Sequence, residues 1–363
     1  MKRNIACIAF LAALCGCVLL MFARAASPEY ASVLPGRALE FPTDHGSHPE
    51  FRTEWWYVTG WLQTADGEDL GFQVTFFRTR PDVDDTNPSA FAARELIIAH
   101  AAVSDPRHDG LWHAQRIGRS ALGLAGAERG RADVWLDRWR IRGDDNSWHT
   151  TINGDTLSLS LDLASTQSPL VNGEAGLSHK GPSPLSASWY YSVPQLRVTG
   201  TLKRGDARAA AVTGNAWLDH EWSSEYLDPE AGGWDWTGIN LDDGGALMAF
   251  RIRGRDGAAR WAGGTLRAAD GTTRTFTPDE LRFEPGRRWQ SSRTGTAYPV
   301  EWRIVAGDRS FDLRALLPDQ ENDARLSTGA VYWEGAVTAF ERGARVGRGY
   351  LELTGYGEPL KLP

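Results

Sequence analysis

The sequence predicts an all-β protein built from two copies of one antiparallel barrel. The first observation is the alternation of apolar and polar residues over short segments, as in residues 72–76 (FQVTF). This is the period of a strand with one buried face. The second is that turn signals such as Asp66-Gly67 separate these segments. The third is that motifs of the first half return in the second half. Together they predict a duplicated barrel with little helix.

The first half contains the larger number of predicted strands. Its first segment is aromatic and β-branched (EWWYVTGW), a composition that favours strands. Two polar or Gly/Pro/Ser-rich stretches, 81–90 and 165–186, are predicted loops. The predicted strands of this half are residues 54–61, 69–78, 95–104, 132–142, 148–152, 156–163, 189–192, 195–203 and 211–222.

The second half repeats the first hairpin. Residues 234–241 and 246–253 flank a turn, just as the first two strands do. The pair Thr237-Gly238 matches Thr59-Gly60, and each pair has a tryptophan three residues before its threonine. This correspondence aligns the opening strands of the two barrels.

The last strands of the two halves correspond as well. Residues 214–219 (GNAWLD) resemble residues 347–352 (GRGYLE). The two alignments together place His220 where the other copy has Leu353, and Asp235 where the other copy has Tyr57. A polar residue at a position that is apolar in the other copy indicates a site rather than a core.

The chain is predicted to begin with a secretory signal peptide. Lys2 and Arg3 form a basic start, residues 5–22 an apolar run, and residues 23–25 (ARA) a small-residue cleavage signal. An uncleaved anchor and lipidation at Cys17 remain alternatives. The predicted divisions are signal peptide 1–25, extended lead-in 26–49, N-terminal barrel 50–228 and C-terminal barrel 229–363.

Composition excludes several classes of function. All three cysteines lie in the predicted signal peptide, so a thiolate nucleophile or a cysteine-ligated metal is not expected. Loss of its three basic residues shifts the formal net charge from −7 to −10. An acidic chain with scattered basic residues is a poor partner for nucleic acid. We expect a monomer, periplasmic or secreted, that binds an apolar small molecule, with peripheral membrane contact left open.

Several motifs resemble the carotenoid 1,2-hydratase-like, or AttH-like, two-lipocalin family. They are residues 48–57 (HPEFRTEWWY), 71–78 (GFQVTFFR), 99–101 (AHA), 217–222 (WLDHEW) and 233–236 (GWDW). The resemblance implies two lipocalin-like barrels packed side by side with a ligand site between or beneath them. It implies neither a metal nor an organic cofactor. The characterised hydratases of the family add water across an isolated double bond.

Hydration of an alkene needs a proton donor, a group that stabilises a carbocation, and a base for water. Asp235 suits the first role, because flanking tryptophans would desolvate it and raise its pKa. Trp222 suits the second through cation–π attraction. His220 suits the third. The predicted substrate-binding residues are Trp234, Trp236, Tyr190, His100, Lys180 and Trp55.

Structural roles are open for the same residues. Asp235 could bond backbone amides, and His220 could be a satisfied core histidine. On a strand, Asp219 and Glu221 face away from His220, and we expect them to be solvated or ion-paired. Glu54 is expected to be a buried partner of Arg52 or Arg78.

The leading hypothesis is a secreted, cofactor-independent hydratase of the hydro-lyase type that acts on an apolar, isoprenoid- or lipid-like substrate. A lipocalin-like carrier with no reaction and a secreted hydrolase are the alternatives. No metal is expected, because histidines 45, 48, 100 and 220 lack the short spacing of a zinc motif. The sequence also lacks the Gly-x-Ser-x-Gly motif of a nucleophile elbow.

Overall fold

The computed structural model describes residues 29–83, 88–89, 91–108 and 110–360, which form an all-β protein with a lipocalin-like fold. The predicted signal peptide and its cysteines lie outside the described residues. Helical structure in the described part is limited to two short 3-10 helices, Thr43–His45 and Pro278–Glu280. No helix formed by the described residues is long and apolar enough to cross a bilayer.

The N-terminal sheet is antiparallel and curls into a nearly closed barrel. Hydrogen bonding joins its strands in the order β4-β3-β2-β1-β13-β12-β9-β8-β7-β6-β5, and β10 and β11 also pair with β12. The strands are β1 (Thr53–Thr64), β2 (Asp69–Thr79), β3 (Leu96–Ser104), β4 (Leu111–Arg119), β5 (Ala125–Ala127), β6 (Ala132–Leu136), β7 (Trp139–Gly143), β8 (Ser147–Asn153), β9 (Leu157–Ala164), β10 (Leu170–Val171), β11 (Leu177–His179), β12 (Ala187–Arg204) and β13 (Ala210–Ser223).

The C-terminal sheet follows the same plan. Its order is β17-β16-β15-β14-β25-β24-β22-β21-β18, with β23 paired to β24 and a separate ribbon of β19 and β20. The strands are β14 (Ala231–Leu241), β15 (Ala246–Gly254), β16 (Ala259–Arg267), β17 (Thr273–Phe276), β18 (Leu281–Pro285), β19 (Arg288–Gln290), β20 (Ala297–Pro299), β21 (Glu301–Ala306), β22 (Arg309–Ala315), β23 (Glu321–Ala324), β24 (Ala330–Glu341) and β25 (Ala344–Leu353).

Three predicted elements differ from the structure. The predicted strand 132–142 is two strands, because the chain turns at Asp137, which has a φ of 57°. The two predicted strands 189–192 and 195–203 are the single strand β12, with a register shift between Val193 and Leu196. Strand β4 was not predicted, because most of its residues are only half-buried and its sequence shows no clear alternation.

The two faces of each barrel wall are buried for different reasons. In β1, Trp56, Val58 and Leu62 point into the barrel and join its core. The alternate residues Tyr57 and Trp61 point outward, yet they are also buried, in an apolar cluster that includes side chains of both barrels. The two barrels therefore pack together through their outer faces.

The alignment of the two opening strands was wrong by one residue. It paired Tyr57 with Asp235, but Tyr57 faces outward and bonds Glu334 of the second barrel. Asp235 points into its own barrel. It lies on the same face of β14 as Ile239, a core residue four positions later in the sequence. A slip of one residue reverses every side chain of a strand. The matching pairs are Trp55 with Trp234 and Tyr57 with Trp236.

The segment before β1 is more than an extended lead-in. Its 3-10 turn buries His45, and His48 follows shortly after, with 5% of its surface exposed. The indole N–H of Trp56 donates to the carbonyl of His45 at 3.1 Å. The segment thus supplies polar residues to the interior of the N-terminal barrel.

Candidate active site

Strand β13 carries polar side chains on both of its faces. His220 and Trp222 point into the N-terminal barrel, as the period of a strand predicts. Asp219 and Glu221 point toward the second barrel. The sequence interpretation expected these two acids to be solvated or ion-paired, but both are buried, with 2% and 4% of their surfaces exposed. Among the residues that the structure describes, Glu221 forms an ion pair with Lys180, whereas Asp219 has no ion-pair partner. The outer face is buried because the second barrel covers it.

Two adjoining cavities lie between the barrels. They have volumes of about 80 Å³ and about 30 Å³ and share the lining residues Trp55, Tyr57, Trp234 and Glu352. All six predicted substrate-binding residues line one or both of them. The lining is Thr53, Trp55, Tyr57, Thr75, Phe77, Thr79, Ile98, His100, Trp234, Thr328, Ala330, Tyr332, Glu334, Glu352, Thr354 and Leu360 for the larger, with Lys180, Tyr190, Asp219, Glu221, Tyr226, Trp236, Phe250 and Ile252 added by the smaller.

Two glutamates form the wall contributed by the second barrel. Glu334 on β24 lies directly opposite Glu352 on β25. Burial raises the pKa of Glu334 to about 7, although the amide of Asn322 and the hydroxyl of Tyr57 donate to its carboxylate, each at 2.9 Å. Burial and the neighbouring Glu334 carboxyl raise the pKa of Glu352 well above its usual value. The raised pKa favours the protonated, uncharged form of Glu352.

The wall from the first barrel carries a third acid, Asp219. Its carboxylate accepts hydrogen bonds from Ser192 and Trp217 at 2.6 Å and from Tyr190 at 2.7 Å. Burial nevertheless raises its pKa to about 7. Asp219 is thus poised between its two protonation states near neutral pH, which is what a group that exchanges protons requires.

Lys180 provides the positive charge of this wall. Its ammonium lies 2.8 Å from Glu221 and 4.1 Å from the centre of the Phe250 ring. Burial lowers the pKa of Lys180 and raises that of Glu221, while each partner favours the charged form of the other. Lys180, predicted to bind substrate, is buried in the wall of the smaller cavity, with 1% of its surface exposed.

His100 joins the cavity to the surface. One ring nitrogen lies 2.9 Å from the hydroxyl of Tyr332 and the other 2.8 Å from the hydroxyl of Ser327. Burial lowers the pKa of His100 to about 3, so the ring is neutral. Because Asn322 bonds both Tyr332 and Glu334, a hydrogen-bonded chain runs from His100 to the acid pair.

Asp235 does not reach these cavities. It lies inside the C-terminal barrel, where it accepts hydrogen bonds from Arg251 at 2.9 Å, Arg253 at 3.2 Å and the hydroxyl of Tyr356 at 2.8 Å. The predicted role of proton donor is therefore not supported for Asp235, because its carboxylate lies outside the cavities and is bonded to two guanidinium groups. The flanking Trp234 and Trp236 point to the other side of the strand and line the cavities.

His220 and Trp222 also lie away from the cavities, in the core of the N-terminal barrel. His220 bonds Glu54 at 2.9 Å, and the Trp222 ring stacks on His48 at 3.7 Å. Burial lowers the pKa of His220 to about 4. The structure thus does not bring His220, Trp222 and Asp235 into one site, and the roles proposed for them from the sequence are not supported.

Glu54 is the centre of this buried polar cluster. The guanidinium of Arg78, its predicted partner, donates to it at 2.8 Å, whereas Arg52 is not bonded to it. The carboxylate also contacts a ring nitrogen of His48 at 2.7 Å. Burial opposes the charged form, but Arg78 and His48 outweigh it and hold the pKa of Glu54 well below its usual value.

Glu54, His48 and His220 have ligand atoms within 4.8 Å of one another and form a possible metal-ligand set. Two observations argue against a metal there. Burial lowers the pKa of His48, but Glu54 and Asp44 raise it above its usual value, and a protonated imidazole is not a ligand. The charge of the buried Arg78 already compensates Glu54. The residues fit a hydrogen-bonded cluster better than a metal centre.

Glu334 and Glu352 were not predicted from the sequence. The signal for Glu352 was present, because the match of residues 214–219 with 347–352 aligns it with Asp219. Asp219 and Glu352 each lie opposite an outward-facing aromatic residue on the neighbouring strand. The partner of Asp219 is Tyr57, and the partner of Glu352 is Trp236. For Glu334, nothing in the local sequence distinguishes it from other acids that precede a glycine.

Comparison with known proteins agrees with this architecture. The model of the AttH-like family matches residues 32–356. The chain belongs to the AttH-like family. A crystal structure from Nitrosomonas europaea, provisionally called AttH, is 51% identical, covers 90% of this chain and 99% of its own, and has a TM-score of 0.85. No curated protein sequence matches this AttH-like chain.

Two more distant structures share the fold of this AttH-like protein. Kievitone hydratase from Nectria haematococca is 16% identical, covers 92% of this chain and 98% of its own, and has a TM-score of 0.67. The structure of CghA with Sch210972 is 14% identical, covers 91% of this chain and 98% of its own, and has a TM-score of 0.55. At these identities the likeness concerns the fold.

Proposed function

We propose that the space between the barrels is the active site of a cofactor-independent enzyme of the hydro-lyase type. It adds water to, or removes water from, a carbon–carbon double bond in a largely apolar substrate. The observation that carries the proposal is the pair Glu334 and Glu352, which holds a proton in an aromatic cavity opposite Asp219. The name of kievitone hydratase, which has the same fold, supports this choice.

Glu352 is the proposed proton donor. It lines both cavities, and burial and the neighbouring acid Glu334 raise the pKa of its carboxyl well above the usual value, which favours the protonated form. Transfer of its proton to one alkene carbon leaves a carbocation on the other. Loss of the proton also leaves a carboxylate close to the cation, which stabilises the charge electrostatically.

The aromatic lining is proposed to stabilise that cation. Trp55, Tyr57, Trp234 and Trp236 belong to the walls of the cavities. A ring face attracts a cation by about 0.5 to 2 kcal/mol when water is excluded. The aromatic walls also disfavour charged competitors, which would lose their hydration on entry.

Asp219 is the proposed base for water. Its three hydrogen-bond donors stabilise the carboxylate, and burial raises its pKa to about 7. Water held between Asp219 and the carbocation would add to carbon and give its proton to the carboxylate. In the reverse reaction the same two acids exchange roles.

The size of the cavities limits the part of the substrate that can lie there. A volume of about 80 Å³ suits the reacting end of a chain rather than a whole isoprenoid or lipid. Thr328, Ala330 and Leu360 line both this cavity and an open groove of about 660 Å³. The remainder of the substrate is proposed to lie in that groove.

The test is hydration in heavy-oxygen water. Purified protein is incubated with an apolar lipid extract, and mass spectrometry identifies compounds that gain one labelled water. The wild type and the exposed control Glu284→Gln should form the same product, and Glu352→Gln should form at least a hundredfold less. Recovery of only unmodified bound lipid from the wild type would instead support an apolar-ligand carrier.

A further inference from the structure

Five large apolar side chains, four from the N-terminal barrel and one from the C-terminal barrel, are exposed near strand β4. We call them the apolar rim. Their exposed fractions range from 48% for Ile117 to 88% for Leu326. Single exposed leucines are ordinary, but a group of them on one surface marks a binding face. The members are Phe91, Ile117, Leu122, Leu124 and Leu326.

One contact and the order of the chain place four members of the rim around strand β4. The guanidinium of Arg119 donates to the carbonyl of Phe91 at 2.6 Å and lies 5.6 Å from the centre of its ring. Ile117 is two residues before Arg119 on β4 and so shares its face. Leu122 and Leu124 lie in the turn that follows β4.

Leu326 completes the rim from the second barrel. The next residue, Ser327, donates its hydroxyl to the side-chain oxygen of Gln115 at 2.6 Å. Gln115 lies on β4, two residues before Ile117 and on the same face. The rim therefore spans both barrels.

The apolar rim borders the candidate active site. Ile98 lines the larger cavity, and its direct partner across the two strands is Ile117. Thr328, two residues after Leu326, lines the same cavity and the open groove. The rim and the lining of the cavity are therefore adjacent, so an apolar molecule bound at the rim would lie next to the cavity.

We propose that the apolar rim docks the protein on an anionic lipid bilayer, so that the substrate enters the cavity directly from the membrane. Two features favour a bilayer over a protein partner. Four of the five rim side chains project from turns, among them Leu122 with a φ of 55°, so the rim is not one flat face. The exposed arginines Arg94 and Arg119 flank Phe91, although the whole chain has a net charge of −7. Apolar insertion combined with basic residues is the pattern of interfacial binding.

The entry of substrate from the membrane rests on the proposed function, whereas docking itself does not. Docking is tested by sedimentation with vesicles, using the chain that begins at Ala26, the residue after the predicted cleavage site. The vesicles contain phosphatidylglycerol and phosphatidylcholine in one series and phosphatidylcholine alone in the other. The wild type should sediment with the anionic vesicles and remain largely in solution with the neutral ones.

The variants separate the contributions. Leu122→Ser with Leu326→Ser should lower binding at least tenfold, whereas Leu122→Met with Leu326→Met keeps the apolar surface and should bind like the wild type. Arg119→Gln should weaken binding to anionic vesicles only, and less so at high salt. Thermal unfolding confirms that each variant is folded.

Two outcomes would overturn the proposal. One is equal sedimentation of the serine and methionine variants. The other is a wild type that ignores vesicles but forms a dimer that the serine substitutions dissociate. Glu352→Gln should bind vesicles like the wild type. Sedimentation therefore tests docking, and the hydration assay tests the hydratase proposal separately.

Discussion

Glu334 and Glu352 lie directly opposite each other on neighbouring strands between the barrels, where Glu334 is buried and Glu352 is half-buried. The folded chain holds the proton of Glu334 up to about pH 7, but an ordinary glutamate releases it near 4.5. The unfolded state is therefore favoured increasingly as the pH rises from about 4.5 to about 7.

Glu334→Gln should remove that pH dependence. Between about pH 5 and about pH 8, the wild type should lose up to about 3 kcal/mol of unfolding free energy relative to the variant. Urea unfolding at the two pH values measures the difference. The exposed control Glu284→Gln should behave like the wild type, and parallel pH dependence of Glu334→Gln and wild type would contradict the assignment of a raised pKa.

His100 should act in the opposite direction. Burial lowers its pKa from 6.5 to about 3. Between these two pH values the unfolded chain binds a proton at His100 and the folded chain does not. Stability from this group is complete above about pH 6.5 and falls as the pH falls. His100→Gln should thus lose about 2 kcal/mol less than the wild type between about pH 6.5 and about pH 5. Urea unfolding at the two pH values measures this difference. If His100→Gln and the wild type lose the same unfolding free energy toward acid pH, His100 is already charged in the folded protein.

Asp235→Asn should be a stability mutation. It leaves Arg251 and Arg253 without the carboxylate that they share, and breaking such a buried pair costs about 3 to 5 kcal/mol. The matched control is Asp256→Asn, whose ion pair with Arg260 is more than half exposed and should cost less than about 1 kcal/mol. Urea unfolding measures both. A stable Asp235→Asn protein that lacks only turnover would restore the catalytic hypothesis.

Zinc should not stabilise the folded protein. Glu54 is already bonded to Arg78 and two histidines, and Glu54 and Asp44 raise the pKa of His48 despite its burial, which favours the protonated imidazole. Thermal unfolding with added zinc or with a chelator should give the same midpoint. A midpoint that rises with zinc and returns to normal in His220→Gln would reveal a metal site after all.

The fold could be predicted because alternation and turn signals are local properties of the chain. Strand β1 and its hairpin partner were recognised from residues 54–61 and 69–78 to within a few residues at each end. Strand β4 was missed, because a half-buried edge strand has little alternation. The aromatic and polar residues predicted to bind substrate line the cavities between the barrels, because the outward-facing tryptophans and tyrosines of one barrel are covered by the other.

The proton-transfer residues could not be predicted in the same way. Period-two alternation separates His220 from Asp219, but it does not say which face is the core and which is covered by a second barrel. The sequence interpretation assigned the chemistry to His220, which lies in the core. Cross-strand pairing of Glu334 with Glu352 depends on the register of two strands near the end of the chain, and register is a property of the folded sheet.

The packing of the barrels through their outer faces has a consequence for the origin of the site. A single ancestral barrel would have presented this surface to water, where its acids would ionise freely. In this protein the second barrel covers that surface, and burial raises the pKa of the acids on it, Asp219, Glu221, Glu334 and Glu352. Substrate preference could then diverge through substitutions at Trp55, Tyr57 or Trp234 while both hydrophobic cores stayed constant, which is how one scaffold can come to host different reactions in different lineages.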